Sequence, residues 1–126
     1  RFTYDEAGLV KLLDLGEWWE ESSGFPIPLG GIVARRSLGR ELISQLDMAL
    51  AGSVAHARAN PDIASEYIRR HAQEMSDEVC AAHIGLYVND FSYDLGDEGV
   101  RAVECLLERA EKAGAIPGSS KGIFVE

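Results

Sequence analysis

Basic residues are scarce in this chain. Against 21 Asp and Glu stand 12 Lys and Arg, a formal net charge of -9 over 126 residues. A phosphate backbone demands clustered cations, so nucleic acid is excluded as a partner, and an anionic membrane surface is disfavoured for the same reason. Long apolar runs are missing too; none approaches the ~20 residues of a membrane span. Cysteine is down to two, Cys80 and Cys105, with no C-x-x-C pairing. That argues against a structural zinc site, and buried free thiols in a reducing compartment are expected. There is no opening Met and no signal-like start. "RFTYDEAG" begins as though already inside a motif, and the expectation is a piece of a longer cytoplasmic protein.

What is present is ordinary globular composition, 46% hydrophobic and 26% charged. Leu9 to Leu13 is a short apolar run expected as a strand. Asp14 and Glu17 are placed as N-cap and capping-box partner of a helix "GEWWEESS" that ends at Gly24. Phe25 to Arg35 is expected as a second strand. Its first half lies at an edge or outside a regular sheet, because Pro26 and Pro28 cannot donate to a ladder. Two strands make no self-sufficient sheet, so partners elsewhere are expected.

From Arg40 the periodicity becomes helical. Leu42, Leu46, Ala49, Leu50, Ser53, Val54 and Ala57 share one stripe of a helix from Arg40 to Ala59. Asn60 and Pro61 suit the start of a second helix, whose inner face carries Ile63, Ala64, Tyr67, Ile68 and Ala72. Ser76 starts a third, with Val79, Ile84 and Val88 inward. "NDFSYDLGDEG" reads as a polar break. A last helix from Asp97 to Ala113 buries Val100, Val103, Leu106, Leu107 and Ala110. Gly114 takes the left-handed position after it, Ile116 supplies the apolar contact and Pro117 forbids continuation. The organisation expected is a strand–helix–strand part with a crossing over 1–36, a helical portion over 37–117 and a flexible tail over 118–126.

No catalytic constellation emerges. His56, His71 and His83 show no metal-ligand spacing; His71 has Glu74 three positions on, and all three suit surface or packing roles. The many carboxylates lie on solvated helix faces or at caps. "GGIVARR" lacks the spacing and the Lys-Ser/Thr of a phosphate loop. Trp18 and Trp19 point about 100° apart on a helix, so one is expected in the core. The feature suited to binding is "PLGG": glycines admit close backbone approach, and free N–H groups can meet an anionic oxygen.

The stretch "DLGEWWEESSGFPIPLGGIVARRSLG" resembles the segment D-L-G-E-W-W-E-x-x-T-G-x-P-x-P-L-G-G of the 1,4-dihydroxy-6-naphthoate synthase family. "EYIRRHAQEM" and "HIGLYVNDFSYDLGDEG" resemble its carboxyl-terminal helices, so the likeness runs from Arg1 to about Pro117. Ser23, Phe25 and Ile27 are minor departures. The related chorismate dehydratases share D-L-G-x-x-W but lack the second Trp and the P-L-G-G continuation. A non-catalytic small-molecule-binding protein of the same fold and a helical interaction module are the readings from other classes.

The resemblance implies an α/β fold, here a fragment of a two-lobed protein like type II periplasmic solute-binding proteins. This chain would be mostly helical with two or so short strands. It implies a lyase of the futalosine route to menaquinone, releasing 1,4-dihydroxy-6-naphthoate from cyclic dehypoxanthinylfutalosine with no metal or organic cofactor. The family's general-base histidine belongs to an I-H-E-x-R-F-T-Y segment and would fall upstream of Arg1; the Ser/Thr-rich substrate loop of the first half is likewise outside this sequence. The chain alone is therefore expected to be inactive. Leu29, Gly30 and Gly31 are expected to bind substrate, and there is room for a homodimer or for pairing with a missing half.

Overall fold

The computed structural model describes residues 4–5, 7–72, 76–119 and 121–124. The chain divides into two compact units. One joins Arg1–Gly31 to Gly96–Phe124, and the other is built on Ile32–Leu95.

The first unit is made by two helices distant in sequence. α1 spans Leu15–Ser23. The carboxylate of Asp14 caps it, accepting from the amides of Gly16 at 2.9 Å and Glu17 at 3.4 Å. Gly24 ends it at φ 74°, a left-handed turn that costs a side-chain-bearing residue about 1 kcal/mol or more. The Glu17 side chain accepts from Lys11 Nζ at 3.1 Å, which holds the Lys11 pKa above its ordinary value. α6 spans Gly96–Lys112. It closes in a Schellman motif: Ala115 N–H donates to Ala110 C=O and Gly114 N–H to Glu111 C=O, with Gly114 at φ 70°. The expected α6 stripe of Val100, Val103, Leu106, Leu107 and Ala110 is half-buried, while Gly99 and Ala102 go deepest. Beyond it, Ser119 N–H donates to Glu111 Oε1 at 3.0 Å.

The second unit holds the remaining helices. A 3-10 turn at Arg36–Leu38 leads into α2, Arg40–Ala59, as the periodicity predicts. Asn60 does not cap the following segment. Its amide turns back to the His56 carbonyl at 2.9 Å, closing α2. Pro61–Ala64 is consequently a 3-10 turn, and α3 begins only at Ser65, running to His71. Ser76 caps α4, Asp77–Tyr87, as expected. The supposed polar break contains a four-residue helix, α5, Asp90–Tyr93. Its start is a reciprocal cap: Asn89 Oδ1 accepts from Phe91 N and Ser92 Oγ accepts from Asn89 N. Arg58 of α2 meets Asp90 of α5 at 2.9 Å. Arg69 forks onto Asp77 at 3.0 and 2.8 Å, linking α3 to α4.

Broader expectations fail as well. No strand or sheet forms among the described residues, so the α/β architecture and both short strands are corrected to helices joined by coil. Leu9–Leu13 and Phe25–Arg35 find no ladder partner, and an unpaired strand leaves its own backbone groups unsatisfied. Apart from the half-buried Phe25–Pro28, their apolar side chains stand in the open, with Leu12 96% and Val33 86% exposed. The α2 stripe is likewise less buried than its pattern predicts: Leu42, Leu46 and Leu50 are exposed, and the half-buried positions are Ile43, Ala51 and Val54.

The area shows how little is covered. The chain exposes 10251 Å². A compact monomer of its mass exposes about 6,600 Å², and two separate halves of that mass together about 8,000 Å². Buried hydrophobic side chains reduce to Trp19 and Ala102 among the described residues. Cys80 and Cys105 are half-buried, not sealed in a core.

Local closures should therefore show clearly in stability. Asp14→Ala is expected to destabilise α1 by about 1 kcal/mol, and Gly114→Ala to destabilise the end of α6 by about 1–2 kcal/mol, read from urea unfolding followed by far-ultraviolet circular dichroism. Wild-type midpoints for both would contradict the capping geometry. Arg69 hydrogen-bonded to Asp77 holds that carboxyl below its ordinary value. Its contribution is present above the unfolded carboxyl's pKa and disappears as pH falls through the lower folded value. Asp77→Asn should flatten that part of the acid unfolding profile, and an unchanged profile would discount the pair.

Candidate functional site

The "FPIPLGG" stretch is held at one end and free at the other. After the Gly24 turn the chain doubles back along α1. Phe25 N–H donates to Ser23 Oγ at 3.1 Å, and Ser23 Oγ donates to the Phe25 carbonyl at 3.2 Å. The Ile27 side chain reaches the amino end of the helix, lying 3.7 Å from where a Cβ on Gly16 would sit. The prolines keep this return extended without a hydrogen-bonding strand beside it. Phe25, Pro26, Ile27 and Pro28 are half-buried, whereas Leu29, Gly30 and Gly31 are exposed.

Gly30 and Gly31 differ from Gly24 in a way that matters. Neither has a positive φ, and a Cβ on either would meet nothing within 4 Å. Local geometry does not ask for glycine at either place. Among the described residues none accepts a hydrogen bond from the amides of Leu29, Gly30 or Gly31.

Two arginines that the sequence reading passed over organise this region. Arg101 and Arg109 lie about two turns apart on α6, on the same face. The Arg101 guanidinium sits 5.9 Å from the Phe25 ring centroid, and that of Arg109 sits 4.9 Å from the Trp19 ring centroid. Arg109 also donates to the Ser22 carbonyl at 2.9 Å and to Ser22 Oγ at 3.4 Å. Ser22 Oγ in turn donates to the Trp19 carbonyl at 3.1 Å. α1 has no basic residue in its last turn, and Glu20 and Glu21 there oppose its dipole. Arg109 supplies the missing cation from another helix. A charged hydrogen bond of this kind contributes about 1.5–3 kcal/mol, and the stacked cation about 0.5–1 kcal/mol more. On a charged helix that also carries Lys112, nothing in the sequence sets these two arginines apart.

Trp19 is the core member of the tryptophan pair at 6% exposed, against 52% for Trp18. Its indole N–H is buried and finds no partner among the described residues.

The histidines lie elsewhere. His56 stands near Asn60, His71 packs at a tilt against Tyr67 with centroids 4.4 Å apart, and His83 against Tyr87 at 5.5 Å. These are packing and surface roles; Glu74 lies outside the described residues. Among the described residues no group of His, Cys, Asp and Glu could hold a metal ion, and no helix is long and apolar enough to cross a membrane.

Comparison with known proteins gives this geometry its context. The menaquinone biosynthesis family matches residues 1–112. The chain belongs to that family. Within the menaquinone biosynthesis family, it is 54% identical over 125 residues to a 1,4-dihydroxy-6-naphtoate synthase of Thermus thermophilus, covering 99% of this chain and 46% of that protein. It is 50% identical over 117 residues to a 1,4-dihydroxy-6-naphtoate synthase of Streptomyces coelicolor, covering 93% of this chain and 42% of that protein. The chain thus spans less than half the length of these relatives.

If the two glycines answer no local need, replacing them should not harm this fold. Gly30→Ala and Gly31→Ala are expected to leave the unfolding midpoint unchanged or raise stability by about 0.4–1 kcal/mol, because alanine has less freedom to lose from the unfolded chain. A loss of more than about 1 kcal/mol in calorimetry would show a local requirement for glycine.

Proposed function

We propose that this chain supplies the carboxyl-terminal part of a cytoplasmic 1,4-dihydroxy-6-naphthoate synthase, a lyase acting on cyclic dehypoxanthinylfutalosine in the futalosine route to menaquinone. Family membership and the name that both relatives share support the reading. The exposed apolar area supports a chain that works as part of something larger.

In this reading Leu29, Gly30 and Gly31 contact the substrate. One observation carries that assignment: two adjacent glycines stand where neither dihedral angle nor crowding calls for them, beside amides that no described residue engages. A backbone without side chains lets a ligand approach closely, and its N–H groups can receive ligand oxygens. The chemistry itself, proton removal by a histidine, belongs to the part of the protein outside this chain. His56, His71 and His83 are occupied with other contacts and take no part.

Turnover tests the reading directly. The 126-residue chain alone should release no naphthoate from cyclic dehypoxanthinylfutalosine, and the complete protein carrying it should. In the complete protein, Gly31→Val should raise KM at least tenfold, a loss of about 1.4 kcal/mol in binding. Release by the isolated chain would overturn the division of labour, and none from the complete protein would overturn the activity. A wild-type KM for Gly31→Val would remove these residues from the site.

A further inference from the structure

We propose that Arg109 is a positioning residue for the Leu29–Gly31 segment, acting through the carboxyl end of α1. The inference rests on the functional reading above only for its kinetic arm. The path is continuous within one unit. Arg109 stacks on Trp19 and forks onto Ser22, fixing the last turn of α1. Ser23 and Gly24 follow directly: Gly24 N–H donates to the Glu20 carbonyl at 2.8 Å, and the Ser23 hydroxyl ties down both polar groups of the Phe25 backbone. Arg101 lies over the Phe25 ring, so the same face of α6 meets the chain a second time just after the turn. Ile27 then rests against Gly16 at the other end of α1. Three exposed residues remain, and their placement is inherited from these anchors because they have no hydrogen bonds of their own among the described residues.

A two-armed planar donor suits this task better than a point charge. Arginine holds a carbonyl, a hydroxyl and an aromatic face together. Lysine would keep the charge at the end of α1 and give up the fork and most of the stacking.

The test uses the complete protein, labelled with 15N-glycine, with cyclic dehypoxanthinylfutalosine as substrate. Arg109→Ala is expected to move the Gly30 and Gly31 amide resonances while leaving those of Gly52 and Gly85, in the other unit, in place. It should raise KM about fivefold to tenfold with kcat within about twofold, the pattern of lost binding rather than lost chemistry. Arg109→Lys should retain the wild-type melting temperature within a few degrees and still raise KM, by about threefold. If Arg109→Ala does not fold, Arg109→Lys decides. A lower melting temperature with unmoved Gly30 and Gly31 resonances and a wild-type KM would reduce Arg109 to a structural role and overturn the proposal. Complete rescue of KM by Arg109→Lys would overturn the fork and stack as its basis. If the wild-type protein does not turn the substrate over, the functional reading fails, and the glycine resonances still judge the positioning role.

Discussion

The first unit depends on one interaction, the Arg109 guanidinium set against the carboxyl end of α1. A short helix ending in Glu20 and Glu21 carries negative charge where its dipole is already negative. Left alone, nine residues of this kind would scarcely hold a helix in water. Arg109 relieves that conflict and, in the same placement, covers the ring of Trp19, one of only two buried hydrophobic side chains described. Electrostatics and burial thus coincide at one residue. The return of Phe25–Pro28 along α1 and the exposure of Leu29–Gly31 are consequences of where that helix ends.

Legibility in the sequence followed the range of the physics. Interactions within one turn could be read: Asp14 and Ser76 as caps, Gly24 as a helix end, Gly114 as a left-handed one, and the limits of α2 from its period. Errors arose where two local options competed. Asn60 could cap forward or backward, and the preceding helix took its amide. Asn89 and Ser92 cap each other, and a polar run that looked like a break became a turn of helix. Strands were misjudged for a different reason. Apolar content and proline punctuation describe a segment's own preference, whereas a strand exists only with a neighbour, and no neighbour exists among the described residues.

The candidate site was half legible. "PLGG" drew notice as an oddity of composition, and the structure sharpened it by showing that neither glycine is there for the turn. The arginines on α6 were invisible because their partners lie in a distant part of the chain, and nothing in the helix itself distinguishes them from solvated charges. The resemblance of "DLGEWWEESSGFPIPLGG" to a family pattern pointed to membership, which the comparisons establish; it carried no information about which side chain holds the pattern in place.

The two residues that meet in that grip, Ser22 and Arg109, are 87 positions apart. Between them lies Ile32–Leu95, the bulk of the second unit, so topologically that stretch is an insertion into the first. Closing so long a loop is an entropic burden carried once, and it grows only slowly: doubling the intervening length adds about 0.6 kcal/mol. Residues added to a connection between the inserted helices therefore add little to that closure cost, so long as the two ends of the insertion still let α6 return to α1. In closure entropy, a change of length in the middle of this chain weighs little beside the loss of the contact between Ser22 and Arg109.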